Sequence, residues 1–162
     1  MIETMDNIQT KLASAFSKTI ENMIFEDVEP VTDETIDPYL GNDKLWAVLS
    51  VVESYAGELV LEVSMGCAKI LAEEAYGEID EEPSLEEMQD LVGEILNTLA
   101  GRFLDGLTPS GEKFQLGLPM KGQGELPEFD DVITSILFSV GEHYLNTIVV
   151  GKDFEKANDN QK

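Results

Sequence analysis

The chain has 162 residues, 43% of them apolar, with 33 acidic side chains against 10 basic ones and a formal net charge of −23. That length and apolar content suit one domain with a substantial core and exclude a disordered chain. The charge excludes DNA, RNA and anionic membrane surfaces as partners, because each needs a basic patch.

Residues 6–25 place Ile8, Leu12, Ala15, Phe16, Thr19, Ile20 and Met23 at helical spacing, with Asp6 as a candidate cap. The amphipathic, acidic start is not a signal peptide. "EDVEPVTDETIDPYLGND", with Pro30, Pro38 and Gly41, reads as a loop or irregular edge segment. Residues 44–64 predict two strands around Ala56 and Gly57. In the second, Leu59, Leu61 and Val63 share one side and Glu58, Val60, Glu62 and Ser64 the other. Residues 66–77 predict a short helix closed by Gly77, followed by the acidic break "EIDEEPS". Ser84 opens a second long helix, with Glu87 completing a capping box, and "TPSG" stops it after about Leu107. "KFQLGLP" predicts a strand stopped by Pro119, "MKGQGELPEFDD" a Gly/Pro loop, and residues 132–150 two strands meeting near Gly141. Residues 153–162 form a polar tail expected to fray. The order predicts an α/β (α+β) two-layer domain over residues 1–152. Its mostly antiparallel sheet is covered by two long helices, with a weak internal pseudo-two-fold duplication.

Several chemistries are excluded by residue supply. Cys67 is the only cysteine and His143 the only histidine, so there is no internal disulfide and no zinc site of the usual nitrogen and sulfur type. A reducing, cytoplasmic location is the expectation. His143 falls in a predicted strand, where a structural role is expected rather than catalysis. No run of apolar residues reaches the roughly 20 needed to span a bilayer. There is no Gly-rich phosphate loop and no GxGxxG fingerprint, so no nucleotide cofactor is expected.

The second long helix carries the functional signal. At 100° per residue, Asp90, Glu94 and Asn97 fall within about 60° of one another, spaced i, i+4, i+7. Met88, Val92, Ile95, Leu99 and Phe103 form the core stripe on the opposite side. Gly93, Ala100 and Gly101 flank the polar line and predict low walls around Glu94 and Asn97, where a partner's backbone can approach. Each glycine costs about 1 kcal/mol against alanine, a loss that docking would explain. The same residues also fit an ordinary wet helix face. Glu86, Asp90 and Glu94 raise a weaker idea, a divalent-ion row, which an open helix face rarely completes. Met65, Met88 and Met120 read as packing residues, and Trp46 and Tyr76 as core or rim aromatics.

Asp90, Glu94 and Asn97, followed after 21 residues by Pro119, resemble the signature of the CheC/CheX/FliY family of chemotaxis phosphatases. "ILAEEAYG", "EILNTLAGRF" and "LGLPMKGQG" resemble the family's segments around it, and the likeness covers roughly residues 1–150. Some members carry a second site on the first long helix. Here Ser17 and Glu21 are in place, but Ile24 occupies the Asn position and Trp46 the Pro position, so the chain resembles the single-site CheX type. The resemblance implies a phosphatase acting on the aspartyl phosphate of a CheY-like receiver domain. It also implies a homodimer, no cofactor of its own, and Mg²⁺ on the receiver. Asn97 then aligns water, Glu94 pairs with a receiver lysine, Asp90 orients Glu94's surroundings or meets the partner's rim, and Pro119 shapes the neighbouring loop. A non-catalytic receiver-binding adaptor of the same fold is the alternative.

Overall fold

The computed structural model describes residues 7–23, 27–31, 40–52, 55–77, 82–108 and 112–159, with side chains to residue 156. In chain order the elements are α1 (Asn7–Glu21), β1 (Val28–Pro30), β2 (Leu45–Val51), β3 (Gly57–Val63), α2 (Met65–Tyr76), α3 (Leu85–Leu107), β4 (Met120–Gln123), β5 (Val132–Val140), β6 (His143–Val150) and α4 (Asp153–Asp159). The strands form one six-stranded antiparallel sheet in the order β1-β5-β6-β3-β2-β4. Exchanging β1 with β4, β2 with β5 and β3 with β6 returns the same order read from the other edge.

Alternation along the strands decides which sheet face meets the helices. Leu45, Ala47 and Leu49 of β2, with Leu59, Leu61 and Val63 of β3, join Ile8, Leu12 and Phe16 of α1 and the stripe of α3 in the main core. Met88, Val92, Ile95, Leu99 and Phe103 are all buried there, as their period requires. Phe16 stacks on Phe138 of β5 with ring centroids 3.9 Å apart, which joins α1 to the far half of the sheet.

The other sheet face is covered too. Trp46, Val48, Val60 and Val150 form a second cluster, over which Leu126 and Phe129 of the predicted Gly/Pro loop pack. Polar groups on this face are tied together. Glu62, 4% exposed, accepts from Asn146 Nδ2 at 2.7 Å and pairs with Lys44 Nζ at 2.9 Å. Ser135 Oγ donates to Asn146 Oδ1 at 3.0 Å.

Two segments differ from their sequence reading. The strand expected at 113–119 makes only an isolated bridge, Leu116 to Val51, and the paired edge strand lies just beyond it, at Met120–Gln123. Gly122 explains that placement: a Cβ there would fall 2.1 Å from Cζ2 of Trp46, so only glycine lets the edge strand lie against the indole. The polar segment after 152 opens with α4, and Phe154 is fully buried between Tyr55 and Phe103.

The start of α3 is set by the predicted box. Glu87 N–H donates to Ser84 Oγ at 3.1 Å, and Ser84 N–H to Glu87 Oε1 at 3.1 Å. Ser84→Ala is expected to cost about 1 kcal/mol, read as a fall in Tm of about 2–4 °C by thermal unfolding. An unchanged Tm would show that the box does not hold the helix end.

Candidate functional site

Asp90, Glu94 and Asn97 are all exposed along one line of α3. The wall facing them is an irregularity in the sheet edge. Leu116 lies opposite Val51 and Met120 opposite Val48, so four steps of this segment match three of β2. The extra residue falls within Gly117–Pro119, where Pro119 has no N–H to give to a ladder. The displaced segment and α3 bound a cleft of about 570 Å³. Asp90, Gly93, Glu94, Asn97 and Thr98 line it on the helix side, and Gly117, Leu118, Pro119 and Lys121 on the other. Leu118 is 92% exposed at this wall.

Lys121 of β4 reaches across to α3. Its Nζ donates to Asp90 Oδ1, closing an ion pair with both ends partly in solvent. Its stem lies over Gly93, where a Cβ would stand 3.2 Å from Lys121 Cδ and 3.6 Å from Pro119 Cβ. Glu94 and Asn97, by contrast, hold no hydrogen bond or ion pair among the described residues.

The small residues of α3 therefore behave differently from the expected low walls. Gly93 is buried, and the room it leaves is filled by this chain's own Lys121 and Pro119. Ala100 is fully buried in the main core. The reason is that α3 packs on the sheet, α1 and α2 together, so its buried arc is wider than one stripe. Gly101 alone keeps open space above it, outside the residues that line the cleft.

Four residues that line the cleft were not expected there: Thr98, Gly117, Leu118 and Lys121. Tyr76 ends α2 partly exposed. Partial burial, then the charges of Glu94, Glu87 and Asp90, raise its phenol above the usual value. Lys121 carries a legible signal, as the single lysine or arginine between Lys113 and Lys152, two residues beyond Pro119. Met120, expected to pack, is 53% exposed.

The first helix offers less. Ser17 is half-buried and Glu21 exposed at the end of α1, while Ile24 lies outside the described residues. Trp46 is buried in the second cluster, on the sheet face away from the helices. Cys67 is sealed in the core, where burial pushes its thiol up to about 12, so it is no nucleophile near neutral pH. Among the described residues no group of three or more His, Cys, Asp or Glu side chains is placed to hold a metal ion. No helix among them is long and apolar enough to cross a membrane.

The fold is shared with solved chemotaxis proteins. Chemotaxis protein CheX from Vibrio vulnificus superposes with a TM-score of 0.72 at 18% identity, over 92% of this chain and 99% of that one. A chain of the CheX–CheY–BeF3–Mg²⁺ complex from Borrelia burgdorferi gives 0.66 at 14% identity, over 90% and 98%. FliY from Thermotoga maritima gives 0.63 at 15% identity, over 92% and 88%. No curated protein matches the sequence. The sequence profile of the chemotaxis phosphatase CheX, however, matches residues 45–135, from the start of β2 through the cleft and into β5. With more than half of the chain inside that profile, this protein belongs to the chemotaxis phosphatase CheX family.

Proposed function

We propose that the chain hydrolyses the aspartyl phosphate of a CheY-like receiver domain, with Asn97 aligning the attacking water and Glu94 gripping the receiver. The observation that carries this is the pairing of exposure with idleness. In a CheX-family chain, Glu94 and Asn97 stand side by side at an open cleft with no partner of their own among the described residues. The structural neighbour solved with CheY, BeF3 and Mg²⁺ supports a receiver as the partner.

The chemistry asks little of this chain. An acyl phosphate is already activated, so no nucleophile need come from the phosphatase. A carboxamide holds N–H donors and an acceptor oxygen on one rigid plane, enough to hold water in line with the phosphorus, as a glutamine does in small GTPases. The water oxygen bonds to phosphorus as the bond to the aspartyl oxygen breaks, leaving inorganic phosphate and a free carboxylate. Mg²⁺ belongs to the receiver in this reading, and the chain needs no cofactor of its own. Glu94 accepts a charge-assisted hydrogen bond from a receiver lysine. Exposed Leu118 adds apolar contact at the rim. Pro119 and Asp90 shape the surroundings and do no chemistry. Partnership with a chemotaxis receiver implies a cytoplasmic place, and the family type implies a homodimer, which sedimentation of the purified chain checks.

Glu94→Ala is expected to weaken receiver binding about tenfold, the scale of a lost hydrogen bond to a charged group. Titration with a CheY-like receiver carrying BeF3⁻ and Mg²⁺ measures this. Unchanged affinity would remove Glu94 from the interface. Binding that persists without any hydrolysis by the native chain would make it an adaptor.

A further inference from the structure

The ion pair between Lys121 and Asp90 joins β4 to α3 at the cleft. Asp90 and Glu94 are the two acids lining the cleft, one helical turn apart, and Lys121 is its single lining cation. One ammonium on a flexible stem thus has two carboxylates on the same helix line to choose from. It is found on Asp90, and Glu94 has no ion-pair partner among the described residues. The stem reaches Asp90 by crossing Gly93, the residue next to Glu94. Both ends of the pair are partly exposed, 37% for Lys121 and 51% for Asp90, too wet for it to serve as a strut.

We infer that Asp90 is a positioning residue: it holds Lys121 off Glu94, so that the Glu94 carboxylate stays unpaired for a cation of the docking protein. This rests on the docking role proposed for Glu94. In the free protein an intramolecular pair at Glu94 would compete directly with the partner's cation. Asp90 removes that competitor by occupying it. Gly93 contributes by leaving a track for the stem, since any Cβ there would crowd Lys121 Cδ.

The test compares Asp90→Ala, Asp90→Ala/Lys121→Met and Glu94→Ala. It measures affinity for a CheY-like receiver loaded with BeF3⁻ and Mg²⁺, and the KM and kcat of dephosphorylation. Asp90→Ala is expected to raise Kd and KM about two- to fivefold, the range of one exposed ion pair, with the loss falling on KM rather than kcat. The double variant, in which the freed competitor is gone, is expected to return to within about twofold of the native values on the same reasoning. A role in overall charge predicts the opposite sign, because removing an acid from a chain of net charge −23 eases approach to an acidic phosphorylation pocket. Asp90→Ala binding as tightly as the native chain, or tighter, therefore overturns the inference. A double variant as weak as the single one overturns it too, in favour of a brace. If Glu94→Ala binds normally, the docking role of Glu94 fails and this inference with it. If Glu94→Ala weakens binding and Asp90→Ala does not, the inference fails alone.

Discussion

Asn97→Ala is expected to slow loss of phosphate from a phosphorylated CheY-like receiver about a hundredfold, the scale of losing one well-placed polar group at a transition state. The side chain is exposed on the open line of α3 and holds no partner among the described residues. Its removal opens no cavity and strands no buried group, so Tm should stay within the small range of surface substitutions. Binding to the BeF3⁻-loaded receiver should also persist, because Glu94 and the rim are untouched. This combination, full docking with lost turnover, is what separates a water-aligning amide from a contact residue. Single-turnover decay of labelled acyl phosphate at saturating phosphatase reads it directly. A rate unchanged from the native chain would end the catalytic assignment.

Phe154→Ala is expected to destabilise the domain by about 3–5 kcal/mol. For a domain of this size that lowers Tm on the order of 10 °C. The ring is fully buried, stacked on Tyr55 at 5.3 Å and tilted against Phe103 of α3 at 6.1 Å. It therefore pins the C-terminal α4 to the centre of the domain. Asp153, beside it, accepts from Ala56 N–H at 2.9 Å, and chiefly this bond holds its carboxyl below the ordinary range. The folded-state value is depressed, so that contribution is complete above the ordinary aspartate value of 3.8 and is lost as the pH falls below it. Urea unfolding of Phe154→Ala, with exposed Lys156→Ala as control, measures the anchor. Equal midpoints for the two would mean that α4 contributes nothing.

What could be read from the sequence was what is local. The Ser84–Glu87 box and the 90-94-97 line follow from spacing within one helix, and both stand where expected. The hairpin over 132–150 follows from two apolar runs about one glycine. What could not be read depends on contacts between distant residues. "MKGQGEL" looks like a loop because its glycines are weak strand formers. It becomes an edge strand because Trp46, 76 residues earlier than Gly122, lies where a side chain would be. Lys121 meets Asp90 across 31 residues and no local period reports that. Phe154 is one apolar residue among polar neighbours, and only the gap between Tyr55 and Phe103 makes it core. Ala100 is core for the same reason: α3 packs on α1 and α2 as well as on the sheet, which no single stripe reports.

The tie from Glu62 to Asn146 and Lys44 has a consequence for how the chain zips up. Glu62 of β3 sits directly opposite Asn146 of β6, and the neighbouring pairs are Leu61 with Thr147 and Val63 with Leu145. A slip by one residue would swing the carboxylate into the oily interior beneath the helices. A slip by two would set it against Tyr144 or Ile148 and take Asn146 away. Losing one partner of such a sequestered charge costs about 3–5 kcal/mol, comparable to the stability margin of many small domains. The polar row adds little to the strength of the finished sheet, but it makes each misthreaded alignment expensive and leaves one register of β3 against β6 that the chain can tolerate.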